Sequence, residues 1–366
     1  MKIVALNTDI AYKFGCGRYI QEKNAIEDNL AVELARFGKK ALFICGENGY
    51  KAAHTRIENA LKNTKLAYEF TIFTSTPCFE TADELAAYAN DNGFDIICGV
   101  GGGVVMDTVK FAAERADLTL VQIPTISATC AAATPLSVLY DRNTHAHIGS
   151  IKLMKEADAV IVDLGIMIDQ PPRLFWAGIM DSMAKLIEIN HRVYGKSEDE
   201  IPMGLEIAHT LSKQIYDYYE EKYELLLTAL AEKKITPEFE KAIFYAIAVT
   251  GVISGISKGS NQCAIAHKFY EKSRSYYYKE TVDFVHGELV AMGLIIQLAY
   301  NGFDHEPIVK KLREMGLPVC FTDINIPLDE RSLTVYTDEL SASSAVMDTS
   351  EGSKAKVREA LKTIYR

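Results

Sequence analysis

The sequence predicts an α/β domain built on a parallel sheet, followed by an all-helical domain. Three observations carry that prediction. Short β-rich runs alternate with amphipathic helical stretches up to "DAVIVDLG" (158–165). The apolar run "FDIICGV" ends in the glycine turn Gly101-Gly102-Gly103, which opens a helix. Beyond "DQPPRLF" (169–175) the strand signal fades and long helical patterns take over. The expected domains are therefore residues 1–166 and 167–366.

The elements follow in order. "AIEDNLAVELARFG" reads as a helix closed by Gly38 as its C′ residue. "KKALFICG" (39–46) and "YEFTIFTS" (68–75) read as strands. "TADELAAYANDNG" (81–93) reads as a helix opened by Thr81, with Glu84 completing a capping box. After the glycine turn and its helix come the strand "LTLVQIPT" (118–125), a hairpin around "DRNT" (141–144), and the buried strand "DAVIVDLG". In the second half, "LFWAGIMDSMAKLIEINHRV", "MGLEIAHTLSKQIYDYYEEKYELLLTALAEKK", "PEFEKAIFYAIAVTGVISGIS" and "GELVAMGLIIQLAYNG" read as helices.

Composition narrows the function classes. A chain of 366 residues with 48% hydrophobic and 24% charged residues can bury two sizeable cores. The formal net charge is −10 and no basic block offsets it, which argues against a nucleic-acid or anionic-membrane partner. Seven cysteines, at 16, 45, 78, 98, 130, 263 and 320, lack any C-x-x-C pair and read as reduced thiols. The opening "MKIVALNTDIAYKFG" lacks the pattern of a signal peptide. No uninterrupted apolar run approaches the roughly 18 residues of a spanning helix. The expectation is a cytoplasmic protein acting on a small molecule.

A strand ending in a glycine turn that opens a helix gathers free N–H groups and the positive end of the helix dipole at one point, a setting suited to phosphate. The spacing is not G-x-G-x-x-G, so a purely structural βα turn remains open. Asp107 can favour the helix dipole or contact ribose or nicotinamide. "IPTISATCAAATPLSVLYD" (123–141) offers Thr125, Ser127, Thr129 and Thr134 in a small-residue loop after a parallel strand. Such a loop suits a flat cofactor, or satisfies its own turns.

In the helical half, Asp181 and His267 lie in apolar, small-residue surroundings, and His286 opens "HGELVAMG". One carboxylate and two imidazoles with an open position form a catalytic divalent-metal set. An unpartnered acid in such surroundings would be costly. Individually these residues also fit a structural role.

Several motifs in fixed order, "FGCGRYIQ" (14–21), "GVGGGVVMDTVK", "PTISATCAAATPLSVLY", "AGIMDSMAK" and "HGELVAMG", resemble the iron-containing alcohol dehydrogenase superfamily, in its glycerol dehydrogenase-like branch. "SATCAAATPLSVLY" and "AGIMDSMAK" look most similar to bacterial hydroxycarboxylate dehydrogenases, which reduce small 2-oxo acids. The resemblance implies a Rossmann-like domain and a helical domain in a dehydroquinate synthase-like architecture, with cofactor, metal and substrate in a cleft. It implies that Gly101, Gly102 and Gly103 cradle a pyrophosphate. Thr125, Thr129, Thr134, Leu136 and Tyr140 would line the nicotinamide side, and Asp181, His267 and His286 would hold a metal. Relatives commonly form dimers or larger rings, so a homo-oligomer is expected.

Four positions depart from that pattern. Val104 stands where glycerol dehydrogenases carry Lys or Ser after the glycines. Cys130 replaces an Asp that contacts the polyol. Lys185 occupies the place of a further His ligand in iron-type members, which points to a three-residue site holding zinc, with iron and nickel as alternatives. Tyr270 replaces a second His and either carries a proton or packs. Lys185 lies one helical turn from Asp181. It either meets the carboxylate of a 2-oxo acid or forms a salt bridge to Asp181 or Glu188. After "ALFIC", Gly46 stands where NAD-preferring relatives often have an Asp, and Lys51 lies nearby. That combination points to NADP(H), with NAD(H) as the alternative. Glycerol dehydrogenase activity, or a silent cofactor-binding relative, are the rival readings. "EKSRSYYYKET" (271–281) has no counterpart in the resemblance.

Overall fold

The computed structural model describes residues 11–258 and 262–366; residues 1–10, most of the segment read for a signal peptide, lie outside it. The chain forms two compact units. One comprises the residues up to Gln170 together with Lys222–Gly255, and the other comprises Pro171–Glu221 and Ile256–Arg366. This division differs from the expected 1–166 and 167–366. The second half is not one continuous domain, because residues 222–255 are packed with the sheet-bearing unit.

The first unit holds six parallel strands: β1 (Tyr19–Glu22), β2 (Lys40–Cys45), β3 (Ala67–Ile72), β4 (Ile96–Gly101), β5 (Thr119–Pro124) and β8 (Ala159–Asp163), in the order β1-β8-β5-β4-β2-β3. "IICGVG" and "AVIVD" are buried along their whole length, and "KALFIC" and "TLVQIP" in all but the first residue, as expected where helices cover both faces of a sheet. β1 was not read from the sequence; at the sheet edge three of its residues are only partly buried and Glu22 is exposed. β6 (Leu136–Tyr140) and β7 (His147–Lys152) form the expected antiparallel hairpin. Asp141 Oδ1 accepts from the N–H groups of Asn143 and Thr144 in its turn.

Helices α1 (Ala25–Phe37), α2 (Glu47–Leu61), α3 (Phe79–Asp91) and α4 (Gly103–Ala116) connect the strands. Two local readings change. Gly38 is extended rather than left-handed, and it is there for space: a Cβ would lie 2.3 Å from Asp95 Cβ. Helix α3 begins before Thr81, capped by the Cys78 sulfur accepting from Thr81 N–H, so Thr81 is a buried interior residue.

The connections fix where a ligand can sit. The chain leaves β2 through α2 to β3 on one side, and leaves β4 through α4 to β5 on the other. Strand order therefore reverses between β2 and β4, and open parallel sheets bind ligands outside the carboxyl ends at such a reversal. Gly46 follows β2 there, Gly101 ends β4 and Gly102–Gly103 open α4; Gly46 N–H donates to Val100 O at 3.1 Å.

No strand follows β8 among the described residues. After the short α5 (Leu164–Met167) come α6 (Pro172–Val193), which Pro172 opens, and the long α7 (Met203–Ala231), within which the two units divide. α8 (Pro237–Phe244) runs through a π-helical turn, Tyr245–Val249, into α9 (Thr250–Ile256). By length and composition this one helical run could cross a membrane; 67% of its apolar window is buried, the pattern of a core helix. The second unit continues with α10 (Ile265–Tyr276), α11 (Tyr278–Thr281), α12 (His286–Asn301), α13 (Glu306–Glu314), α14 (Glu330–Leu340) and α15 (Glu351–Leu361).

The segment 271–281 now has a structural role. Arg274 donates to the carbonyls of Thr281 (2.6 Å) and Phe284. Tyr277 stacks on Tyr336 and donates to Ser332 Oγ at 2.9 Å. These contacts hold the connection that delivers the chain to the start of α12.

Candidate functional site

The glycine turn is compact. Gly101 has φ +156°, and its carbonyl accepts from Thr125 N–H at 3.0 Å. A Cβ on Gly102 would lie 2.8 Å from Ile126 Cδ1, and one on Gly103 2.9 Å from Thr129 Cγ2. Glycine therefore lets the loop after β5 lie directly on the turn. Helix α4 begins with no side-chain cap and no acid in its first turn, which leaves its N-terminal N–H groups and dipole for an anion.

The Thr-rich loop is held from below. Lys110, almost fully buried on α4, donates to the carbonyls of Ala131 (2.7 Å), Thr134 (2.8 Å) and Leu136 and lies 2.9 Å from Asp107 Oδ1. Asp107 is thus engaged by Lys110. Thr134 Oγ1 donates to Cys130 O at 2.9 Å and lies 3.1 Å from its sulfur, while Thr129 Oγ1 accepts from Ala131 N–H. Thr125 and Cys130 are buried. Tyr140 sits in the hairpin, its N–H on Pro77 O and its ring edge-on to His147.

The second unit gathers the three proposed metal ligands from three helices. Asp181 lies on α6, His267 in the first turn of α10, and His286 opens α12. One ligand atom from each lies within 4.8 Å of the others. His267 Nε2 is 3.2 Å, and His286 Nε2 3.4 Å, from Asp181 Oδ1. That buried oxygen makes no hydrogen bond despite this company. Oxygen and nitrogen ligands about 2.0–2.2 Å from one tetrahedral ion lie roughly 3.3–3.5 Å apart. The spacing and the orphaned oxygen therefore fit a divalent ion.

Close helix packing brings these residues together. A Cβ on Gly293 of α12 would lie 2.6 Å from Ala266 O of α10, so glycine permits the approach. The start of α10 is satisfied from outside: Glu188 Oε1 accepts from Ala264 N–H (2.7 Å) and His267 N–H (3.0 Å), and Gln297 Oε1 from Ile265 N–H (2.8 Å). The other oxygen of Glu188 receives His267 Nδ1–H. Glu188 thus holds the imidazole with Nε2 facing Asp181. Tyr270 packs edge-on against His286, ring centroids 4.2 Å apart.

Electrostatics favour the ligand forms of Asp181 and His286, whereas at His267 burial is outweighed by Glu188, which raises its pKa. Burial alone would raise the Asp181 pKa, but Lys185 and the two imidazoles pull it well below the usual carboxylate range. Glu188 is likewise lowered: His267 and Lys185 outweigh its burial. Burial pushes His286 down, towards the neutral, metal-binding form. The His286 side chain is 24% exposed whereas Asp181 and His267 are enclosed, so the site opens on the His286 side. Lys185 Nζ lies 3.4 Å from Asp181 Oδ1 and donates to His267 Nε2 at 2.6 Å.

The model of the iron-containing alcohol dehydrogenase family matches residues 16–164. Over that segment the chain is similar to the iron-containing alcohol dehydrogenases. Hydroxycarboxylate dehydrogenase A of Escherichia coli (strain K12) is 27% identical over 297 residues, covering 80% of this chain and 79% of its own. A glycerol dehydrogenase of Pseudomonas putida is 28% identical over 320 residues, covering 86% and 85%. The crystal structure of a probable glycerol dehydrogenase from Sinorhizobium meliloti 1021 matches with a TM-score of 0.81 at 24% identity, covering 97% of this chain and 98% of that one. Its likeness establishes the shared fold. Similarity to the iron-containing alcohol dehydrogenases suggests a nicotinamide cofactor and a divalent metal, and the turn and the three-ligand cluster are the residues of this chain suited to hold them.

Sequence reasoning missed Lys110 and weighed Glu188 only as a partner for Lys185. A signal for Glu188 was present: it stands seven residues after Asp181, two helical turns along one face. For Lys110 the signal was its place three residues after Asp107, while its carbonyl partners left none.

Proposed function

We propose that the protein is a metal-dependent oxidoreductase that moves a hydride between NAD(P)(H) and a small 2-oxo or 2-hydroxy acid. The observation that carries this reading is the convergence of Asp181 Oδ1, His267 Nε2 and His286 Nε2 within 4.8 Å on an oxygen that makes no hydrogen bond. An ion held by these residues, with zinc favoured by the three-ligand set, supplies Lewis acidity towards a carbonyl or hydroxyl oxygen. The nicotinamide supplies or accepts the hydride.

The chain's own groups bind, orient and enclose. The N-terminus of α4 and Gly101–Gly103 receive the pyrophosphate. Thr125, Thr129, Thr134 and Leu136 shape the nicotinamide side, on a loop tied down by Lys110. Glu188 orients His267, and Tyr270 fixes the His286 ring. Gly46, without a carboxylate, leaves room for a 2′-phosphate, which supports NADP(H) over NAD(H). Lys185 offers an ammonium beside the metal ligands for the carboxylate of an oxo acid.

Polyol oxidation is the second reading, favoured by the glycerol dehydrogenases among the relatives. Oxidation of NADPH and NADH, followed by nicotinamide absorbance across 2-oxo acids and dihydroxyacetone with zinc-loaded protein, decides between them. Faster turnover of oxo acids is expected. Preference for dihydroxyacetone selects the polyol reading, and inactivity with both, in protein retaining its metal, removes the catalytic one. Lys185→Thr should raise KM for oxo acids far more than for neutral carbonyls; equal effects exclude the carboxylate contact.

A further inference from the structure

Lys185 occupies the nitrogen of His267 that faces Asp181. Its Nζ lies 2.6 Å from His267 Nε2 and 3.4 Å from Asp181 Oδ1, and all three side chains are buried. An ammonium can only donate, so Nε2 receives it with its ring lone pair, while Nδ1–H is committed to Glu188. An imidazole nitrogen has one such lone pair, and a metal ion needs that same pair. Metal and ammonium therefore cannot occupy His267 Nε2 together.

We propose that Lys185 is a built-in counter-cation of the metal centre: it neutralises Asp181 and caps His267 Nε2 while the site is metal-free, and it must swing away for the ion to enter. This rests on the reading of Asp181, His267 and His286 as metal ligands. The cause is the cost of a buried, unpaired carboxylate, which the ammonium offsets until a divalent ion replaces it. Each arriving ion must break a charge-assisted contact and also meets a like charge. Both effects lower metal affinity.

The sign of the effect separates this role from a structural one. If Lys185 merely braced Asp181, its removal would loosen the ligands and weaken binding. As a competitor, its removal strengthens binding. The test is zinc titration of metal-stripped protein by calorimetry for the parent, Lys185→Met and Lys185→Gln, with Asp181→Ala as the ligand control, and thermal melting with and without zinc. The expectation is zinc binding about tenfold or more tighter in Lys185→Met, from loss of one contact to a charged group. Metal-free Lys185→Met should melt lower than the parent and gain more on adding zinc. Lys185→Gln serves if Lys185→Met does not fold without metal. Unchanged or weaker affinity in the variants, with the parent binding one zinc that Asp181→Ala loses, overturns the competition and leaves the metal centre standing. Absence of binding by parent and variants alike overturns both.

Discussion

Glu188 holds His267 from behind: one carboxylate oxygen takes Nδ1–H, and the other takes the backbone N–H groups of Ala264 and His267. Ring and helix start are thereby fixed by a single side chain from α6. Glu188→Gln should weaken zinc binding about 10- to 100-fold. Glu188→Ala should weaken it further, because the two N–H groups lose their acceptor. Calorimetric zinc titration measures both, and parent-like affinity in Glu188→Ala would refute the orienting role.

Gly293→Ala should destabilise the protein by about 1–3 kcal/mol, as overpacking at a closed contact does. The added methyl would lie 2.6 Å from Ala266 O, forcing α12 away from α10 and His286 away from His267. Urea unfolding and zinc affinity should therefore fall together. Loss of stability with intact zinc binding would separate packing from the site.

Lys110→Met leaves Asp107 and three carbonyls without their buried cation, a cost of about 3–5 kcal/mol. The glycine turn is untouched, so affinity for ADP-ribose should persist while affinity for the full dinucleotide and kcat drop. Lys110→Arg should recover part of the loss. Equal weakening of both ligands would show that Lys110 supports the whole fold and not the nicotinamide loop.

His191, on α6 beyond Glu188, carries a pH signature of its own. Burial lowers its pKa from 6.5, helped by Arg192 and Lys356 and opposed by its Asn301 contact; its Nε2 is buried without a hydrogen bond. The folded state prefers the neutral ring, so below pH 6.5 the unfolded chain binds a proton that the native chain refuses. This contribution is complete above pH 6.5 and is lost as pH falls through the lowered native pKa. His191→Gln should melt with a shallower pH dependence in that window, measured against the parent at matched pH. Parallel curves would remove His191 as a cause.

Local chemistry made much of this molecule readable. The buried strands β4 and β8 announced themselves as apolar runs, β5 as one interrupted by Gln122, and the "DRNT" turn marked its hairpin. β1 gave no such signal, since three half-buried edge residues and an exposed Glu22 carry no period. Thr81 imitated a cap because capping boxes are common, whereas the Cys78 sulfur took that place. Asp107 resembled a ligand residue until a lysine one turn along occupied its carboxylate.

By itself, the order of residues settled the alternation of elements, the glycine turn at the end of β4 and the residue types able to bind a divalent ion, because each depends on spacing within one segment. Only the folded chain decided that residues 222–255 join the sheet-bearing unit, that strand order reverses beside Gly46 and Gly101, and that Glu188 and Lys185 occupy opposite nitrogens of one imidazole. Those outcomes rest on contacts between segments far apart in sequence. Such contacts are set by close packing, as at Gly293 on Ala266, and by the need to pair every buried charge.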